Sequence, residues 1–259
     1  MNISYQNLKT LKGIKGFLEA EEVWCHNNQL TQLNLPKAER VYCYNNQLTQ
    51  LTIPEAERVD CDNNQLTQLN LPKAERVYCH NNQLTQLTIP EAEEVDCSNN
   101  QLTQLNLPKA ERVYCHNNPN LIFNDIKVPK DCSIAYFNRH LIPYQLAYKL
   151  YNNKITFKEI LEISNTEHRM VALSVYSPEK LLKEVNAEEI DRNERGDILY
   201  EVKGEKVGLS SNFKLGTYRD YSTDRLYVDF MRPECKTIDE ALSKRHHFTL
   251  DEWIKCKHA

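Results

Sequence analysis

Apolar residues between Cys25 and Tyr114 return at a fixed interval of 18 positions, in five nearly identical copies that begin at Cys25, Cys43, Cys61, Cys79 and Cys97. A sixth copy opens as Cys115-His-Asn-Asn and then diverges. Self-similarity at a fixed period marks a solenoid, whose units bury their apolar faces only against their neighbours. Within one unit, Val41 and Cys43 alternate with Arg40, Tyr42 and Tyr44, the period-two pattern of a strand with one buried and one polar face. Stacked units therefore predict a parallel sheet with about 4.8 Å between strands. The segment Leu48-Thr-Gln-Leu51-Thr-Ile53-Pro54 carries the chain back along the outer side, and Pro54, lacking an N–H, excludes a helix there. An extended return is expected.

A shifted frame reveals a finer pattern. Ala38-Glu-Arg-Val41-Tyr-Cys43-Tyr-Asn-Asn46-Gln-Leu48 has apolar residues at its first, fourth, sixth and eleventh places and Asn at its ninth. This resembles the leucine-rich repeat consensus L-x-x-L-x-L-x-x-N-x-L, with Ala, Val and Cys at the first three apolar places. The match recurs from Ala20 to Leu30, Ala56 to Leu66, Ala74 to Leu84 and Ala92 to Leu102. From Ala110 it holds to Asn118, and Asn120 then stands where the last Leu belongs. The resemblance covers residues 20–134 and implies short, bacterial-type repeats. Asn46 and its equivalents Asn28, Asn64, Asn82, Asn100 and Asn118 are expected to turn inward, where an amide satisfies backbone groups that the bend removes from the ladder. That role is structural.

The units also alternate. Copies one, three and five carry Leu-Asn-Leu-Pro-Lys-Ala and end in Tyr, whereas copies two and four carry Leu-Thr-Ile-Pro-Glu-Ala and end in Asp, so the true period is 36. Three columns of side chains are expected to leave the sheet outward. They are Glu22, Arg40, Arg58, Arg76, Glu94, Arg112; then Trp24, Tyr42, Asp60, Tyr78, Asp96, Tyr114; then His26, Tyr44, Asp62, His80, Ser98, His116. Aromatics, Arg and His with scattered Asp are the types enriched where proteins meet. The candidate binding face is Trp24, His26, Arg40, Tyr42, Tyr44, Arg58, Asp60, Asp62, Arg76, Tyr78, His80, Asp96, Arg112, Tyr114 and His116. The plainer reading of the same columns is a cross-strand ladder that only stabilises the sheet. His26, His80 and His116 lie too far apart, at about 10–14 Å by strand spacing, to share one metal ion. Asp60 and Asp62 share a face at roughly 7 Å, near the carboxylate separation of an inverting glycosidase, but without a pocket they read as two solvated aspartates.

Six of the nine cysteines occupy one repeat position, which suits buried thiols in a reduced, cytoplasmic setting rather than a disulfide framework. Net charge is −4 with 26% charged residues, and the five copies together are acidic, so no nucleic acid is expected on the repeat face. No apolar run approaches the roughly 20 residues of a membrane span, and Met1-Asn-Ile-Ser-Tyr lacks a signal-peptide layout. Export as an injected effector leaves no mark of its own in the sequence. Leu8, Leu11, Ile14 and Leu18, with Phe17, fall at helical spacing, so residues 1–20 are expected to form a helical cap over the solenoid end.

Beyond Pro119 the repeat decays. A closing strand is expected over Cys132–Tyr136 at the end of a solenoid spanning residues 21–134, followed by an α+β domain docked on that end and covering 135–259. Its expected elements are helices over Pro143–Tyr151, after the capping box Thr156-Phe-Lys-Glu159, over Thr166–Tyr176 and over Ser177–Val185. Strands follow at Glu189–Asp191, Ile198–Val202 and Leu226–Phe230, with a turn at Arg195-Gly196 and further capping boxes at Thr237 and Thr249. Asn165-Thr-Glu-His-Arg-Met-Val-Ala-Leu-Ser, the Asp191–Tyr200 hairpin and Arg232-Pro-Glu-Cys-Lys-Thr-Ile-Asp-Glu-Ala241 resemble an uncharacterised domain found after leucine-rich repeats in bacterial and phage proteins. Met231-Arg-Pro and Ser243-Lys-Arg-His-His-Phe replace that family's Val-Pro-Pro and Ala-Trp-Thr-Phe-Gly. The resemblance covers residues 165–254 and implies no activity.

No catalytic residues, cofactor or metal site are assigned. The cluster His246-His247 with Cys256 and His258 has no standard zinc spacing. Cys235-Lys-Thr does not match the Cys-x-Asp of leucine-rich-repeat ubiquitin ligase effectors. The expectation is a non-enzymatic scaffold that binds a protein partner, with oligomeric state left open. The alternatives are a bacterial or phage effector or defence-related protein with an enzymatic C-terminal domain, and a sugar or small-ligand binder.

Overall fold

A computed structural model describes residues 1–176, 180, 183–184, 186–192, 198–202 and 205–209. The helix over 177–185 in its greater part, the Arg195-Gly196 turn, the strand at 226–230, the capping boxes at Thr237 and Thr249, Cys235 and the His246–His258 cluster lie outside these residues. The chain divides into two compact units, Met1–Tyr148 and Lys149–Ala259.

The first unit is a parallel β-solenoid of about six turns with 18-residue units. Each turn carries an inner strand and, in most turns, a short outer strand. The elements run β1 (Glu22–Trp24), β2 (Gln32–Asn34), β3 (Arg40–Tyr42), β4 (Gln50–Thr52), β5 (Arg58–Asp60), β6 (Arg76–Tyr78), β7 (Gln86–Thr88), β8 (Glu94–Asp96), β9 (Gln104–Asn106), β10 (Arg112–Tyr114), β11 (Ile126–Lys127), β12 (Ser133–Ala135) and β13 (Ile142–Pro143). The main sheet has the order β1-β3-β5-β6-β8-β10-β12-β13, parallel until β13, which pairs antiparallel with β12 and covers the ladder's edge. Equivalent residues of successive turns pair without slippage, for example Val23 to Val41 to Val59. The return segments form two further parallel ladders, β2-β4 and β7-β9-β11.

The core is what the period-two pattern requires. Val23, Val41, Val59, Val77, Val95 and Val113 are fully buried, as are the Cys25, Cys43, Cys61, Cys79 and Cys97 thiols and the leucines from Leu30 to Leu102 at the same repeat position. Burying one such Val or Leu is worth about 1.5–3 kcal/mol. Burial pushes the Cys25 thiol up to about 12, and the thiols of the inner turns are raised further from reactivity by the same cause.

Both members of each Asn-Asn pair are structural. The first (Asn27, Asn45, Asn63, Asn81, Asn99, Asn117) bends the chain in the left-handed region with φ of 53–56°, where a short polar side chain is tolerated. The second turns inward, as expected. Asn46 Nδ2 donates to the Cys25 and Cys43 carbonyls, both at 3.0 Å, while its Oδ1 accepts from the Leu30 N–H at 3.0 Å. Each amide thus ties one turn to the one before it. The Lys/Glu alternation does the same at the outer corner, where Lys73 pairs with Glu55 and Lys109 with Glu91.

Residues 1–20 overturn one expectation: they contain no α-helix, only a 3-10 turn at Phe17–Glu19. Gly13 and Gly16 hold φ of 94° and 79°, and Tyr5 and Asn7 also take left-handed φ, so the helical spacing of Leu8, Leu11 and Leu18 is never realised. Instead Met1–Leu8 lies along β1 as an additional rung. The Ile3 N–H donates to the Trp24 carbonyl at 2.8 Å, and Asn28 treats this segment as a preceding turn, donating to Ile3 O and accepting from Leu8 N–H.

In the second unit, α2 (Phe157–Leu161) opens with the expected Thr156/Glu159 capping box and buries Phe157 and Ile160. It follows α1 (Tyr144–Tyr151) and precedes α3 (Thr166–Val175), which buries Val171, Ala172 and Leu173. The Glu184 carboxylate accepts from the Phe157 N–H at 2.8 Å and from the Tyr176 hydroxyl. Strands β14 (Glu188–Arg192), β15 (Ile198–Val202) and β16 (Glu205–Leu209) form an antiparallel sheet in that order. The last was not expected, although Lys203-Gly204 between two short runs is a hairpin signal.

Candidate functional site

Because Val and Cys point in, the residues between them leave the opposite face of the main sheet. Strand register sets Trp24, Tyr42, Asp60, Tyr78, Asp96 and Tyr114 in one row across β1, β3, β5, β6, β8 and β10. Glu22, Arg40, Arg58, Arg76, Glu94 and Arg112 form a second row on the same strands. The third row follows two residues beyond the first. The candidate residues are therefore brought together on one face, in three chemically distinct zones.

At the first turns the face is aromatic. The Trp24 and Tyr42 rings stack with centroids 4.0 Å apart, and His26 stacks on Tyr44 at 4.4 Å. Tyr5, supplied by the additional rung, sets its edge on His26 at 5.3 Å. The result is that His26 is only 7% exposed, and its Nδ1 has no hydrogen-bond partner among the described residues. Burial pushes its pKa down, with Asp60 opposing. Tyr5 was not among the sequence candidates, because the helical reading of residues 1–20 placed it elsewhere.

The middle turns are acidic. Asp62 accepts from the His80 backbone N–H at 2.7 Å and lies 2.7 Å from His80 Nδ1. Asp96 Oδ1 accepts from both the N–H and the hydroxyl of Ser98, at 3.0 and 2.6 Å, and its Oδ2 lies 4.0 Å from His80 Nδ1. Asp60 and Asp62 are not the two solvated aspartates that the sequence suggested. The Asp62 side chain is 13% exposed, and burial, then the charge of Asp60, push its pKa up to about 8. Burial also raises Asp60, against the Asp62 N–H and the nearby His80, His26 and Arg58. The cause is that small side chains here sit between larger neighbours on adjacent strands.

The remaining zone is a charged network. The Arg58 guanidinium lies 5.7 Å from the centre of the Tyr78 ring. Glu94 accepts from the Tyr78 hydroxyl at 3.0 Å and from Arg112 at 2.7 Å, and the Arg112 hydrogen bond above all holds its carboxyl below the usual range. Glu94 completes the network and Ser98 anchors Asp96, yet both were left out of the candidate set; the signal for Glu94 was that copy four alone breaks the Glu-Arg-Val pattern with Glu-Glu-Val.

Among the described residues no group of three His, Cys, Asp or Glu side chains is placed to hold a metal ion, and no helix is long and apolar enough to cross a membrane. No protein-family model matches the chain, and no curated protein matches it.

Proposed function

We propose that the solenoid is a leucine-rich-repeat recognition scaffold, that it works in the cytoplasm, and that it binds a protein partner through the exposed face of its main sheet. The recurrence in register of the inward Ala, Val, Cys, Asn and Leu positions supports the repeat assignment. One observation carries the binding assignment: the inward residues are uniform from turn to turn, while the outward ones change from stacked aromatics to carboxylates to an Arg–Glu network. A face that only stabilised the sheet would need no such zoning. Aromatic side chains there can bury much area for little lost rotamer freedom, and Trp, Tyr and Arg are the types that dominate binding energy where proteins meet.

The test is affinity capture from the source cell with three baits: wild type, Tyr42→Ala/Tyr78→Ala/Tyr114→Ala, and a control triple Gln32→Ala/Gln50→Ala/Gln104→Ala on the outer ladder. A partner retained by the control and lost by the tyrosine variant is the expected result. Identical partner sets for all three baits would remove the face from consideration.

A further inference from the structure

Turns three and five present the same row, Tyr–Asp–Tyr, across neighbouring strands. In turn three Asp60 lies between Tyr42 and Tyr78, and in turn five Asp96 lies between Tyr78 and Tyr114. Strands two apart in a sheet are separated by about 9.6 Å, so a short side chain between two rings leaves a slot with aromatic walls and a carboxylate floor. In turn three the chain fills the slot itself, because Arg58 lays its guanidinium over the Tyr78 ring within the field of Asp60.

Turn five lacks that arginine, because Glu94 occupies the position of Arg58. Asp96 keeps one oxygen for Ser98, while its Oδ2 has no hydrogen-bond partner among the described residues and lies 4.0 Å from His80 Nδ1. The Tyr114 ring stacks on no ring among the described residues. The other charged groups around the slot are Glu94, already joined to Arg112, together with Arg76, Asp62 and His116.

Resting on the proposed protein-binding role, we propose that the turn-five slot, floored by Asp96 and walled by Tyr78 and Tyr114, receives an arginine side chain from the protein partner. The partner's guanidinium takes the place that Arg58 fills two turns earlier. A planar, delocalised cation suits the slot better than an ammonium, since it stacks on rings while donating in-plane to a carboxylate. Glu94 at the slot's end adds favourable charge and ensures that the chain does not supply the guanidinium from its own turn.

The experiment titrates the full chain with a fluorescein-labelled (Gly-Arg-Ser)4 peptide and its lysine and citrulline counterparts, read by anisotropy. Saturable binding of the arginine peptide, about tenfold tighter than the lysine peptide, is expected, with none for citrulline. Equal affinity for lysine and arginine, or no binding of arginine, overturns the inference. Asp96→Asn and Glu94→Arg should each weaken the arginine peptide about tenfold. Glu94→Arg places in turn five the residue that the chain already uses in turns two, three and four, and circular dichroism checks that both variants fold. Glu21→Arg, with the same change in net charge as Glu94→Arg at an exposed position four turns away, should leave binding unaltered; an equal loss there would show bulk charge attraction and defeat the inference. If the tyrosine triple variant loses the captured partner while Glu94→Arg keeps it, the face remains the binding surface and the arginine slot falls. If neither loses it, both fall.

Discussion

Asn63 and Asn64 stand side by side and hold the chain by different means. Asn63 bends it at φ 53°, whereas Asn64 donates to the Cys43, Cys61 and Asp62 carbonyls at 3.0–3.1 Å and accepts from the Leu48 N–H at 2.9 Å. Asn64→Ala therefore strands several buried backbone groups and should cost about 3 kcal/mol or more. Asn63→Ala meets the left-handed penalty, about 1 kcal/mol, and gives up the exposed hydrogen bond that its Oδ1 accepts from Asn81 Nδ2 at 2.7 Å; Asn63→Gly should recover the backbone part. Urea unfolding of the three variants checks this, and equal losses for Asn63→Ala and Asn64→Ala would contradict the division of labour. Asp62 behaves oppositely to a stabilising carboxylate. Its pKa is pushed up to about 8 by burial and by Asp60, with Asp96 adding and the His80 N–H opposing. The folded state thus holds a proton that the unfolded chain has released, and stability falls as pH rises from about 4 to about 8. Asp62→Asn should flatten that decline and raise stability at pH 8.5 by about 2 kcal/mol, while changing little at pH 4. Urea midpoints at the two pH values decide it; parallel declines in both proteins would refute the assignment.

At the scale of elements, the inner strands were fully legible, because alternation of Val and Cys with polar residues admits one register and one buried face. The closing strand β12 and the α2 capping box were legible for equally local reasons. The N-terminal segment was not. Its leucines satisfy a helical period, but β1 offers an unpaired ladder edge, and an extended rung satisfies those N–H and C=O groups where a helix would leave them bare. Gly13 and Gly16 make the alternative path cheap. A period is a weak guide when an open sheet edge lies next to it in the chain.

For the repeat unit as a whole, stability is expected to behave as a sum over turns and their interfaces. Removing residues 61–96 deletes one complete Tyr/Asp pair and rejoins Asp60 to Cys97, so every remaining turn keeps an equivalent neighbour. The shortened protein should fold with unchanged strand signature in circular dichroism and unfold at lower urea. Loss of cooperative unfolding would show that the turns are not interchangeable.

The sequence by itself determined the solenoid, its 18-residue pitch, its inward residues and the set of side chains that share the outward face. All of these follow from local alternation repeated in register. Only the tertiary structure decided that residues 1–8 add a rung, that Tyr5 closes over His26, and that Asp62 is a half-buried carboxyl whose pKa is pushed up by burial and by Asp60, rather than a solvated one. Only it showed Arg58 lying over Tyr78 while Glu94 reaches Arg112. These depend on how side chains of adjacent strands lean into the gaps that smaller neighbours leave, and such gaps exist only once the turns are stacked.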